Sequence, residues 1–286
     1  MTVTTVMRGP VVAIGGNVDL FPEEPIFVRI GDLLKKSHSE RKGRPRIVII
    51  PSASDNPVSS GKKYSYVFQN LGIDVDVLTP LKRKEASDPK IVATAERANG
   101  FFFAGGNQLR LTSIVGGTPL MEAIFSRFLE GALVAGTSAG AAALTETMIA
   151  YGESYEALLK GKVELSPGFG FIGGAVIDTH VLTRGRFPRL VHVVSENPYI
   201  LGVGLAEDTA VVWDFDKASF EVLGTRNVVV VDGRDIDATN IPEIEHSDPI
   251  SVSGLRVHIL GNGCTFLLDK RKAVIPERFS RAHEDF

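Results

Sequence analysis

Runs of consecutive apolar residues alternate with stretches of helical spacing through the first half of the chain. Residues 10–16 (PVVAIGG), 46–54 (RIVIIPSAS), 75–80 (VDVLTP), 100–106 (GFFFAGG) and 132–136 (ALVAG) read as buried strands, three of them closing on glycine. Between them, residues 27–36, 64–71, 91–98 and 119–130 place apolar side chains three and four apart, as Ile30, Leu33 and Leu34 do, and predict helices. Strands that are apolar on both faces and separated by helices predict an α/β fold, a mostly parallel sheet sandwiched by helices.

After residue 150 the rhythm changes. Residues 175–180 (AVIDTH), 201–206 (LGVGLA), 209–215 (TAVVWDF), 227–232 (NVVVVD) and 255–260 (LRVHIL) are shorter apolar segments, spaced as hairpins and edge additions. This half is expected to extend the same sheet and to pack a small β layer beside it. Residues 1–286 then form one α/β unit with a C-terminal β extension from about residue 209.

Composition narrows the function classes. The chain has 286 residues, 44% hydrophobic and 23% charged, enough for a sizeable core. A formal net charge of −3 offers no basic face for nucleic acid. A single cysteine, Cys264, excludes an intrachain disulfide. The first apolar run, Val11 to Ile14, is too short for a signal core or a membrane span, so the expected location is cytoplasmic with no membrane partner. No HExxH, CxxC or P-loop pattern occurs, and Gly15-Gly16-Asn17 is not a dinucleotide fingerprint, so no metal or cofactor is expected.

The sharpest chemical signal is Gly136-Thr137-Ser138-Ala139-Gly140, between a predicted strand and a helix-compatible run. A strand-to-helix reversal this tight forces its central residue into a strained backbone and admits only small neighbours, lifting the Ser138 hydroxyl above the sheet edge over a helix N-terminus. A serine nucleophile needs a base and an oxyanion hole. The Ala139 N–H is one natural donor, and the Gly106 N–H, in the turn after the fourth strand, is the second.

Of six histidines, His38 and His246 lie in polar stretches, His283 is near the C-terminus, His258 alternates within a strand and His192 sits on a predicted helix. His180 ends an apolar strand, where its ring can reach across the sheet edge, and is the candidate base. Glu207 best fits the acid that orients it, with Asp208 and Asp178 behind. The order serine, histidine, acid differs from that of α/β-hydrolases, in which the histidine comes last.

Several segments together resemble the cyanophycinases, in the serine peptidase group that also holds peptidase E (α-aspartyl dipeptidase). They are AGGNQLRLTS (104–113), AGTSAGAAALTETMI (135–149), KGKVELSPGFG (160–170), DTHVLTRGRFPRL (178–190), GVGLAEDTAVV (202–212) and SGLRVHIL (253–260). The DTH-x3-RGR-x2-RL run is far more specific than G-x-S-x-G. The resemblance implies a class I glutamine-amidotransferase-like (flavodoxin-like) fold, a homodimer, and Ser138, His180 and Glu207 as the triad. It implies cyanophycin as substrate, a poly-aspartate chain with arginine on each β-carboxyl, cleaved to β-aspartyl-arginine.

Asn107, Gln108, Asp178, Thr179, Arg184, Arg186 and Arg189 fall on the family's substrate pocket. The arginines suit the substrate's free carboxylates, and Asp178 suits its guanidinium. The family usually carries glutamine where this chain has Thr179, and often an acid at Asn107. Rival readings are an aspartyl dipeptidase or isopeptidase on small peptides, and an inactive relative that binds such peptides. An amidotransferase would use cysteine, and Cys264 lies far from the turn.

Overall fold

The computed structural model describes residues 8–38 and 43–277. His283 lies outside the described residues.

Five parallel strands form one side of the main sheet, with β3 at its edge: β1 (Val11–Ile14), β2 (Arg46–Ile50), β3 (Asp74–Val77), β4 (Gly100–Phe103) and β5 (Leu133–Thr137). Their spatial order is β1-β5-β4-β2-β3. The intervening helices are α1 (Pro25–Ser37), α2 (Pro57–Asn70), α3 (Pro89–Ala95), α4 (Gln108–Val115) and α5 (Pro119–Leu129). Successive strand residues face opposite sides. Val12, Ile14, Ile47, Ile49 and Phe102 pack under α1 and α2, whereas Val11, Ala13, Val48, Ile50 and Phe101 face the other core.

Helical periodicity places several helix starts too late, most clearly α2, expected at residue 64 and beginning at Pro57. The reason is capping. Glu24, Asn56, Asp88 and Thr118 each accept a hydrogen bond from the first turn, and each is followed by proline at the first helical position. Such a cap starts a helix before any apolar face is needed. Helix α4, absent from the periodic reading, begins in the same way at Asn107.

Past β5 come the one-turn α6 (Ala139–Ala142), the hairpin β6 (Thr147–Tyr151) and β7 (Glu164–Pro167), then β8 (Ala175–Thr179), α7 (Phe187–Glu196) and β9 (Leu201–Leu205). Next are β10 (Thr209–Asp214), β11 (Ser219–Gly224), β12 (Val228–Asp232), β13 (Ala238–Thr239), β14 (Val252–Ser253), β15 (Arg256–Leu260), β16 (Thr265–Leu267) and β17 (Lys272–Val274). Strands β10, β11, β16 and β17 extend the main sheet antiparallel from β1. A separate four-stranded sheet, β15-β12-β9-β8, forms the second layer. That layer begins at Ala175, because β8 and β9 pair with each other and not with β1, whereas the extension of the main sheet begins with β10 at Thr209. Its inner face, with Ile177, Val203 and Val230, closes on the main sheet, and its outer face is covered by α7 through Leu190, Val193 and Val194.

Candidate active site

The strand β5 breaks into α6 at Ser138, whose φ of 51° and ψ of −118° lie in a region that costs an L-residue energy. The flanking glycines are sterically required. A Cβ on Gly136 would come within 2.5 Å of the Gly140 carbonyl group, and one on Gly140 within 2.2 Å of the Phe103 carbonyl oxygen. The Ser138 N–H donates to the Ile14 carbonyl at 2.9 Å, tying the turn to β1. With four residues, α6 carries little dipole; its contribution is the Ala139 N–H.

His180 follows the last residue of β8 and is 6% exposed. Its Nε2 lies 2.9 Å from Ser138 Oγ, and its Nδ1 lies 2.8 Å from Glu207 Oε1. A carboxylate only accepts, so Nδ1 carries the proton and Nε2 turns its lone pair to the serine hydroxyl. Burial holds the imidazole below its ordinary pKa, outweighing the pull of Glu207, and the nearby Arg184 and Arg186 charges act in the same direction as burial. The Glu207 carboxyl is lowered, chiefly by the hydrogen bond from His180. Asp208, the neighbouring acid, turns away to accept from the Thr225 hydroxyl.

The turn Gly15-Gly16-Asn17 after β1 grips the base and its acid, a role that sequence reasoning missed. Its carbonyls accept from His180 N at 3.2 Å (Gly15) and from Asp208 N at 2.9 Å (Gly16), and Asn17 Nδ2 donates to Glu207 Oε2 at 3.2 Å. The available signal was a doubled glycine closing a buried strand. Gly16 has φ +100°, and a Cβ there would lie 2.5 Å from His180 Cε1. Gly16→Ala therefore should push the ring off Ser138 and cut kcat by about 10²-fold, the scale of a 1 Å misplacement, as measured by steady-state kinetics.

The walls differ in part from expectation. Neither Gly106 nor Ala139 directs its N–H to an acceptor among the described residues, and both border the same recess beside Ser138. Gly106 has φ +142° and lies where a Cβ would meet the Ala53 carbonyl oxygen at 1.9 Å. Asn107 caps α4, accepting from Arg110 N at 2.9 Å, and is turned to that task and not to the recess. Gln108 donates Nε2 to the Ile149 and Ala150 carbonyls at 3.0 and 3.2 Å, so only its oxygen remains for a ligand.

Asp178 does not offer a free carboxylate to a guanidinium. It is 2% exposed and held by Arg189 through Nε at 2.8 Å and Nη2 at 2.5 Å. Arg189 also donates to the Gly152 carbonyl, and Arg186 Nη1 lies 3.7 Å from Asp178 Oδ1, so Asp178 is the buried centre of an ion-pair cluster in the recess wall, with Arg189 its main partner. Arg186 donates to the Thr179 carbonyl at 3.1 Å. Arg184 is exposed, and its guanidinium has no acceptor among the described residues.

Two recesses flank Ser138. One, enclosed and about 60 Å³, is walled by Gly106, Gln108, Ala139, Thr179 and Arg186 together with Asp178 and Arg189, and Arg184 borders both recesses. The other, an open cleft of about 440 Å³, contains His180 and Glu207. The remaining described histidines are elsewhere: His192 is buried in α7 with Nδ1 2.7 Å from the Ala157 carbonyl, His258 meets Phe266 edge-on, and His246 and His38 lie on loops.

An α/β sheet whose strand ends align a strained serine, a neutral imidazole and an ionised carboxylate is that of a serine hydrolase. Among known families, the model of peptidase family S51 matches residues 15–220. The chain belongs to peptidase family S51. It is 36% identical over 276 residues to the cyanophycinase of Synechococcus elongatus, covering 94% of this chain and 83% of that one. It is 38% identical over 232 residues to the cyanophycinase of Nostoc sp. (80% and 77% covered), and 36% identical over 259 residues to that of Geminocystis herdmanii (90% and 93%). A solved peptidase from an acI-B1 Actinobacterium shares the fold with a TM-score of 0.68 at 21% identity, covering 92% of this chain and 98% of that one. Among the described residues no helix is long and apolar enough to cross a membrane.

Proposed function

We propose that this chain hydrolyses cyanophycin to β-aspartyl-arginine with Ser138 as nucleophile, His180 as base and Glu207 as its orienting acid. The observation that carries the reading is the continuous line from Ser138 Oγ through the His180 ring to Glu207, at 2.9 and 2.8 Å. Ser138 Oγ attacks an aspartyl main-chain carbonyl while Nε2 takes its proton. The Gly106 and Ala139 N–H groups receive the oxyanion, and Glu207 stabilises the imidazolium. His180 returns the proton to the departing amine, and water then repeats the sequence on the ester. The substrate is supported by the relatives named cyanophycinase, and by Arg184, a free guanidinium at the lip of the site suited to the carboxylates that cyanophycin carries on every unit. The same reading includes the class I glutamine-amidotransferase-like layout of the fold.

Incubation with cyanophycin followed by mass spectrometry tests this: β-aspartyl-arginine should accumulate. An intact polymer alongside cleaved small aspartyl peptides would replace it with the dipeptidase reading.

The acid limb of kcat/KM reports the pKa of free His180, which must be neutral to act. Burial and the arginine charges lower that pKa, so the limb should fall below the ordinary histidine value. Arg184→Gln removes a positive charge that resists protonation of the ring. The folded pKa then rises, and the limb should move to higher pH in a pH–rate profile; an unmoved limb would remove Arg184 from the electrostatics of the site.

A further inference from the structure

Only one of the two recesses beside Ser138 also contains His180. The imidazole that protonates the departing nitrogen must reach it, so the amine side of the scissile bond lies on the side of the ring. The enclosed recess, bordered by the Gly106 and Ala139 N–H groups, then takes the acyl side. The open cleft takes the leaving amine and whatever it carries.

On the wall of that cleft α2 presents Ser60 and Tyr64. They are four residues apart and therefore on one face of the helix. Neither hydroxyl has a hydrogen-bond partner among the described residues. The Tyr64 ring is fixed by Phe102 and Phe27, with centroids 4.6 and 6.2 Å away. Burial pushes its phenol up to about 12, so it stays a neutral donor. Both hydroxyls therefore face the cleft beside the reactive serine with their donors open to a ligand.

We propose that Ser60 and Tyr64 form the binding site for the amine-side part of the substrate, an aspartyl unit presenting a main-chain amide and a free carboxylate, with Arg184, which borders both recesses, within reach of the carboxylate. This rests on the Ser138–His180 reading above.

Acyl transfer tests it. N-acetyl-β-aspartyl-arginine, methyl-esterified at the aspartyl α-carboxyl, serves as acyl donor. Ser138 Oγ attacks its ester carbonyl, the bond to methoxide breaks, and the proton from Oγ passes through His180 to the methoxide, which leaves as methanol. β-Aspartyl-arginine serves as acceptor. In the transfer, the acceptor amine attacks the ester carbonyl on Ser138. A C–N bond forms, the C–O bond to Ser138 breaks, and the proton lost by nitrogen passes through His180 to Oγ. Water competes, giving the free acid. The ratio of condensed peptide to acid does not depend on how much of the enzyme is folded. In the Ser60→Ala, Tyr64→Phe double variant, which keeps the aromatic packing, the ratio should fall about fivefold or more at fixed acceptor concentration. A ratio within about twofold of the parent overturns the subsite while leaving the hydrolase reading standing. Absence of ester turnover by the parent chain overturns the hydrolase reading itself.

Discussion

Ser138→Ala should lower kcat on cyanophycin by about 10⁶-fold, the scale seen when a serine nucleophile is removed from an aligned hydrolase site. The argument is geometric. Oγ already lies 2.9 Å from the lone pair of a buried imidazole, whose other nitrogen is held at 2.8 Å by a carboxylate. No other hydroxyl shares that position. His180→Ala should cost about as much, and the double variant little more than either, because groups that act as one unit are strongly non-additive. Quantifying released β-aspartyl-arginine by chromatography separates the cases. Residual activity in Ser138→Ala within about 10²-fold of the parent would show that the hydroxyl is not the nucleophile.

The second large effect is on stability. Asp178→Ala should destabilise the fold by about 3–5 kcal/mol, because it leaves the Arg189 guanidinium buried without its counter-charge. Arg189 is 5% exposed and reaches Asp178 through two nitrogens, so no water can take over without opening the wall. Replacing both partners, as in Asp178→Leu with Arg189→Met, should cost much less than the single change, since the desolvation of two charges disappears with their attraction. Urea unfolding midpoints measure all three. Arg184→Gln, at an exposed side chain with no acceptor among the described residues, should change stability by less than about 0.5 kcal/mol and serves as the reference. A loss below about 1 kcal/mol in Asp178→Ala would mean that Arg189 finds another acceptor.

His180 from the first prediction and the Asp178–Arg189 pair from the second sit on one short run, Asp178 to Arg189, in which the sequence presents its charged residues alike. The motif marks the site, but not the division of labour within it. Read linearly, three arginines and one aspartate all look available to a zwitterionic polymer. In the fold, Arg189 is the third residue of α7, one turn from the loop, and points inward to Asp178 on β8, whereas Arg184 remains on the exposed loop. Asn107 follows the same logic: its place after β4 suggested a pocket residue, and local capping of α4 claimed its side chain.

The amino-acid sequence by itself determined what short-range sterics and burial can dictate. The central strands were legible because they are apolar on both faces. The bend at Ser138 was legible because Gly136 and Gly140 admit no Cβ against backbone 2.5 and 2.2 Å away. Only the tertiary structure decided what depends on chain segments far apart. His180 meets Ser138 across 42 residues and Glu207 across 27, and all three are tied to β1 or the turn that follows it, near the start of the chain. It likewise decided that β8 and β9 leave the main sheet, that Asp178 is closed off by Arg189, and that α2 walls the side of the cleft holding His180. The physical reason is that strand pairing and ion pairing are chosen by which partners reach one another in the packed molecule, and no local propensity encodes that choice.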